Sequence, residues 1–203
     1  MSGKASALSF VARHRLWSEE QNEAAVRLRR IAEEKGLDTI RFSFPDQHGI
    51  LRGKTLVADE ALRILENGCT ITTTMLAKDT SHRTVFPVFT AGGGFGMTEM
   101  QGAADVLMIP DPTTFRVLPW APTTGWVLCD VHFADGRPVP FATRGLYKSV
   151  LSKLSARGYD FKAGLEVEFH VFKVNDPKMQ PAHAGQPGEL PGRQLVRRPL
   201  ATQ

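Results

Sequence analysis

The residues best placed to do chemistry stand in one short run, Gly164-Leu165-Glu166-Val167-Glu168-Phe169-His170-Val171-Phe172. Apolar and polar residues alternate through it without a break, and successive side chains of a β-strand point to opposite faces. Leu165, Val167, Phe169 and Val171 therefore share one side of a predicted strand, and Glu166, Glu168 and His170 share the other. Carboxylates two residues apart lie within reach of a common or adjacent cation, and hard divalent ions such as Mg²⁺ take oxygen ligands. An antiparallel strand with one dry and one wet face, its glutamates simply solvated, carries the same pattern. His170 reads as a residue of the polar face.

Three further sets carry residue types that could do chemistry. Asp46 and His48, and Arg52 and Lys54, are each spaced by two and could share faces of a hairpin as an acid–base or phosphate site. A turn followed by a solvated strand explains them equally well. Gly92-Gly93-Gly94-Phe95-Gly96 is glycine-rich, but no Gly-Lys-Ser/Thr follows and no helix start is evident, so it is not a P-loop. It reads as a flexible loop at a subunit contact. Cys69 and Cys129 are too few for a disulfide framework or a zinc site and read as small core residues in a reducing compartment.

The elements that must position these residues follow from periodicity. Ser18-Glu19-Glu20-Gln21 is a capping box, Ala24, Leu28 and Ile31 recur at helical spacing, and Gly36 is a natural stop. Ile40, Phe42 and Phe44 alternate with Arg41 and Ser43 as a half-buried strand. Pro45–Gly49 is turn chemistry and 50–57 a second strand, giving a hairpin. Asp59 is placed to cap a short helix over 60–67 that ends at Gly68. Residues 77–97 lose any period. Strands are expected over 106–109, 115–118 and 126–133, with a tight connection at Ala134-Asp135-Gly136-Arg137. Thr143 then caps an amphipathic helix with Leu146, Val150, Leu151 and Leu154 on one face and Gly158 at its end. This order makes the fold α+β, with hairpins rather than a doubly wound parallel sheet.

The composition agrees. The chain has 203 residues with Lys+Arg 25 against Asp+Glu 21, 42% hydrophobic and 23% charged, which excludes wholesale disorder. No run approaches the ~20 apolar residues that span a bilayer, and no apolar signal core follows Met1, so neither a membrane nor a secretory destination is expected; the expectation is cytoplasmic. The net charge of +4 comes from mixed helix surface and a basic tail without interleaved aromatics, so no nucleic-acid partner is expected.

Three segments in succession carry a family resemblance. They are Ala104-Asp105-Val106-Leu107-Met108-Ile109-Pro110-Asp111-Pro112, then Trp126-Val127-Leu128-Cys129-Asp130, then Glu166-x-Glu168-Phe169 in its glycine-flanked strand. With Phe44-Pro45-Asp46-Gln47-His48-Gly49-Ile50-Leu51-Arg52-Gly53-Lys54, the succession resembles the glutamine synthetase family over about residues 40–172. The resemblance implies an amino-terminal helical segment at 1–36 and a β-grasp-like domain at 37–135. It also implies the first helix and strand of the catalytic domain at 141–174, with 175–203 an extended or disordered tail. It implies ATP-dependent ligation of ammonia or an amine to the γ-carboxylate of glutamate through an acyl phosphate. Mg²⁺ or Mn²⁺ would be the metal, with Glu166 matching the ligand of the nucleotide-side ion and Glu168 the ligand of the ion nearer the glutamate. Relatives of this family form homo-oligomeric rings, and their active site forms between the amino-terminal domain of one subunit and the catalytic domain of its neighbour.

Two departures matter. Ammonia-using members carry an Asp in an F-D-G-S-S-like loop, and counting back from Asp105 without gaps places that position at Ala91. The missing carboxylate removes both counter-charge and proton acceptor for ammonium, so another amine is expected. The family's other metal, ATP and glutamate ligands have no counterpart after Val174, where the chain becomes Pro- and Gly-rich. That ending has the look of a truncated or frameshifted reading frame, and the expectation is an inactive fragment or, alternatively, a non-catalytic subunit that associates with full-length relatives.

Overall fold

The computed structural model describes residues 8–169 and 171. Contacts divide the chain between Phe161 and Lys162. The first unit holds helices α1 (Phe10–His14), α2 (Glu19–Glu34), α3 (Ala58–Arg63) and α4 (Thr143–Ser155). Its strands are β1 (Thr39–Pro45), β2 (Leu51–Val57), β3 (Cys69–Thr72), β4 (Asp105–Pro110), β5 (Arg116–Leu118) and β6 (Ala121–His132).

Helix α2 starts where its cap dictates. The Ser18 hydroxyl accepts from the Gln21 amide, and the Gln21 side chain accepts from the Ser18 amide, so two orphan donors are satisfied reciprocally. Gly36 leaves the helix at a positive φ of 57°. The buried stripe of α2 is Ala24, Ala25, Leu28 and Ala32.

Strand β1 alternates as its sequence demands, with Ile40, Phe42 and Phe44 buried and Arg41 exposed. It pairs antiparallel with β2, register Phe42↔Lys54, closing the expected hairpin. The sheet order is β2-β1-β6-β4-β3, with β5 also on β6. The twelve-residue β6 organises it: Thr124–Leu128 runs parallel to β1, Cys129–His132 pairs with β4, and Ala121–Trp126 pairs with β5. The β1–β6 pair is the parallel one; the other pairings are antiparallel. A hairpin, helices and a later strand returning parallel to β1 make the mixed α+β arrangement anticipated. The principal core joins Leu28 and Ala32 to Ile40, Phe42, Phe44, Met108, Val127 and Cys129. Ile109, on the face opposite Met108, meets Phe10 and Val11 of α1. Among the described residues no helix is long and apolar enough to cross a membrane.

Several local expectations are corrected. Asp59 does not cap α3: the helix begins at Ala58 after Val57, with no side-chain cap bond, and Asp59 lies in its first turn. Residues 64–67 form a turn that closes with the Gly68 amide on the Ile64 carbonyl, so the helix ends earlier than 67. Thr143 does not cap α4 either. Its hydroxyl donates to the carbonyls of Pro45 and Asp46 and ties the helix to the β1–β2 turn. Helix α1 and strand β3 were not anticipated, being too short for a period to show.

The second unit gives the largest difference. Gly164–Phe169 forms no strand, and Leu165 (90% exposed), Val167 and Phe169 are open to solvent. A strand is stabilised by ladder partners and by something to cover its dry face, and neither is present for this segment among the described residues. Residues 170 and 172–203, which include His170 and the expected tail, lie outside the described residues.

Candidate functional site

Glu166 and Glu168 are both exposed on the segment after Lys162. Among the described residues no group of three or more His, Cys, Asp or Glu side chains is gathered in a way that could hold a metal. Mg²⁺ held by one or two carboxylates relies on waters and substrate phosphates for its remaining octahedral positions. The pair alone therefore does not fit a complete divalent site, and no chemical step is derived through a metal.

Asp46, His48, Arg52 and Lys54 are only partly brought together. The Asp46 carboxylate, 1% exposed, accepts from the amides of His48 and Ile50 and from Arg52 Nε at 2.7 Å. Burial pushes its pKa up, but the Arg52 hydrogen bond, the two amides and the guanidinium charge outweigh this and hold it below the ordinary carboxylate value. Arg52 continues to His82 Nδ1 at 2.5 Å and to the Asp79 carbonyl, so it fastens the 78–84 turn to the hairpin. This is a structural clamp. Lys54 and Arg52 both line a groove of about 330 Å³ with Arg41, Ser43, Gly53 and Trp126, a lining that includes no carboxylate. Cys69 and Cys129 are buried thiols, as expected, and burial raises both pKa values, that of Cys129 far more.

The glycine cluster is closed by backbone hydrogen bonds. The Gly94 amide donates to the Pro87 carbonyl at 2.8 Å and the Gly93 amide to Thr90, closing a tight turn with Ala91 at its exposed tip. A Cβ on Gly94, whose φ is +67°, would sit 2.7 Å from the Met100 backbone, so only glycine fits there. Phe95 follows at φ 59° and presents its ring outward. That ring packs on Phe86 at 4.8 Å between centroids and on Phe141 at 5.0 Å. Glu99, in the segment that follows, is engaged by Arg137.

Sequence reasoning missed a charged network that ties four elements together. Asp111 accepts from Gln21 Nε2 (3.0 Å), from the Thr113 amide and hydroxyl, and from Arg144 (2.5 Å). Arg144 also binds Asp130 at 2.5 Å, and Lys148 reaches the same Asp130 at 2.9 Å. Gln21 in the first turn of α2, Asp111 just past β4, strand β6 and helix α4 are thereby joined. Burial raises the Asp111 carboxyl, but its bonds to Thr113, Gln21 and Arg144 prevail and lower it. Burial lowers Arg144, and its two carboxylates reverse that. The available signal was Arg144 and Lys148 at i, i+4 on one helix face, with Asp111 and Asp130 each following an apolar strand run.

No family model matches the chain. Among curated proteins it is 40% identical over 187 residues to a gamma-glutamylanilide synthase of Acinetobacter, covering 91% of this chain and 37% of that protein. The chain belongs to the glutamine synthetase family. It is also 35% identical over 142 residues to a gamma-glutamylethanolamide synthetase of Streptomyces coelicolor, covering 68% of this chain and 29% of that one. With a glutamine synthetase of Methanosarcina mazei it shares 29% identity over 146 residues, covering 70% and 28%. The chain thus spans about a third of the length of the glutamine-synthetase-family relatives it matches.

Proposed function

We propose that this chain is the amino-terminal portion of a glutamate–amine ligase of the glutamine synthetase type. In that reading, ATP phosphorylates the γ-carboxylate of glutamate and an amine attacks the acyl phosphate, giving a γ-glutamyl amide. The observation that carries the choice of amine over ammonia is Ala91 at the tip of the glycine loop, where no carboxylate is present to hold or deprotonate ammonium. The names of two relatives support it, since they describe the anilide and ethanolamide of glutamate. We further assign 37–135 to the β-grasp-like domain and 141–174 to the start of the catalytic domain. Glu166 and Glu168 are proposed as two contributors to a Mg²⁺ or Mn²⁺ set that needs further ligands, and the site as one completed in a ring of subunits in the cytoplasm.

The 203-residue chain alone is expected to be inactive. ATP hydrolysis and γ-glutamyl hydroxamate formation by the purified chain test this, and turnover above a buffer control overturns it. One observation favours a second role as a non-catalytic subunit: α4 has no buried residue, and Leu146, Tyr147 and Val150 are each more than half exposed. Co-expression with a full-length glutamine-synthetase-type relative tests both readings. Co-purification supports the subunit role. A shift of the mixed assembly from ammonia toward other amines, in a competition among amines, supports the ligase reading.

A further inference from the structure

The aromatic rings around the glycine loop have no role in the fold that requires their exposure. Phe86 is 49% and Phe95 43% exposed, yet they pack on each other and, through Phe95, on Phe141, which is anchored to the core. The backbone makes this display deliberate. Phe95 is held at a positive φ that costs a non-glycine residue strain, between glycines at φ 67° and 73°. The Gly94-to-Pro87 bond brings the two ring-bearing ends of the loop together. What results is a preorganised ring surface at the base of the loop that carries Ala91 at its tip.

The electrostatics of the same loop are as informative as its shape. Between Asp79 and Asp105 the sequence holds one acid, Glu99, and it is paired with Arg137, which also binds Asp135. An alkylamine or ammonium is protonated near pH 7 and needs a negative partner to be held and a base to release its lone pair. An aryl amine needs neither, because delocalisation of the nitrogen lone pair into the ring keeps it neutral and nucleophilic at that pH. Tilted ring pairs, here at interplanar angles of 48°, accept a further aromatic edge or face.

Resting on the glutamate–amine ligase reading, we propose that Phe86, Phe95 and Phe141 form the wall that selects an aryl amine as the nucleophile. The ring of the amine packs against Phe86 and Phe95. Phe86 and Phe95 are specificity-determining residues and take no part in proton transfer.

Binding can be read without turnover. Phenylalanine- and alanine-labelled 203-residue chain is titrated by NMR with aniline, with butylamine and with ammonium chloride at pH 7. Aniline is expected to give saturable shifts at Phe86 and Phe95, with the same affinity at pH 6 and pH 9. Butylamine and ammonium are expected to give none. Phe95→Ala and Phe86→Leu, both at exposed rings, should each weaken aniline binding at least several-fold while leaving the remaining amide spectrum in place. Absence of saturable aniline shifts at these residues overturns the proposal, and so does equal binding of butylamine, which would mark a cation–π site instead. Failure of the ligase reading is seen separately, in the amine competition of the mixed assembly.

Discussion

Removing the Asp111 carboxylate is the perturbation with the most worked-out consequence. Asp111 is 5% exposed, and its partner Arg144 keeps 16% of its side-chain surface. Breaking a buried, hydrogen-bonded ion pair by truncating one partner costs about 3–5 kcal/mol. In Asp111→Ala the loss is softened, because Arg144 keeps Asp130 and both Gln21 and the exposed Thr113 can turn to water. The expected cost is therefore about 2–4 kcal/mol, a large share of a stability of ~5–15 kcal/mol. At a urea m-value of about 2 kcal/mol/M, the midpoint should fall by roughly 1–2 M with the slope unchanged. Arg144→Ala and the double variant complete a cycle, in which a coupling of about 1–3 kcal/mol is expected. The pH dependence has a definite sign. Asp111 is held below its ordinary pKa, so its contribution is present in full above the unfolded value of about 4 and is lost as pH falls through the lower folded value. Wild type and Asp111→Ala should thus differ most near neutrality and converge in acid. A loss under about 1 kcal/mol, additive single variants, or a gap that persists at low pH would refute the network as an anchor of α4.

Other outcomes follow from single positions. Asp46→Asn should destabilise the chain at pH 7 and lose that effect on acidification, since burial is outweighed and the Asp46 pKa is lowered; paired urea titrations at two pH values check it. Gly68→Ala should lower the melting temperature by several degrees, about 2–4 °C per kcal/mol in a domain of this size. The reason is that Gly68 sits at φ +72° with Ile109 and the Met108 carbonyl 2.5 and 2.7 Å from the added Cβ. Cys129 should resist a thiol reagent in the native chain and react fully in denaturant, because burial removes both access and thiolate. Glu166→Gln and Glu168→Gln should leave stability unchanged within about 0.5 kcal/mol, both residues being exposed; Mn²⁺ titrations followed by electron paramagnetic resonance should show no saturable micromolar site.

The legible part of the chain was the part written in short-range pattern. The capping box at Ser18–Gln21 and the alternation of Ile40, Phe42 and Phe44 were each readable because cap geometry and strand period are local. Three other local signals misled. Asp59 and Thr143 are good capping residues in poor positions, since Val57 and Ala142 already start their helices. Alternation at Gly164–Phe169 marks a segment able to be a strand, but strand formation is decided by partners, and none is present for it among the described residues.

The sequence by itself determined helices α2 and α4, the β1–β2 hairpin, the family resemblance and the absence of a carboxylate at Ala91, because residue identity and spacing do not depend on what lies opposite. Only the tertiary structure decided that β6 returns parallel to β1, that Gln21, Asp111, Asp130 and Arg144 form one charged network, and that Phe86, Phe95 and Phe141 meet. Gln21 and Asp111 stand 90 positions apart, and Phe95 and Phe141 are also far apart in the chain. Contacts at such separations are set by how the sheet closes and which faces it covers, and no local period records that.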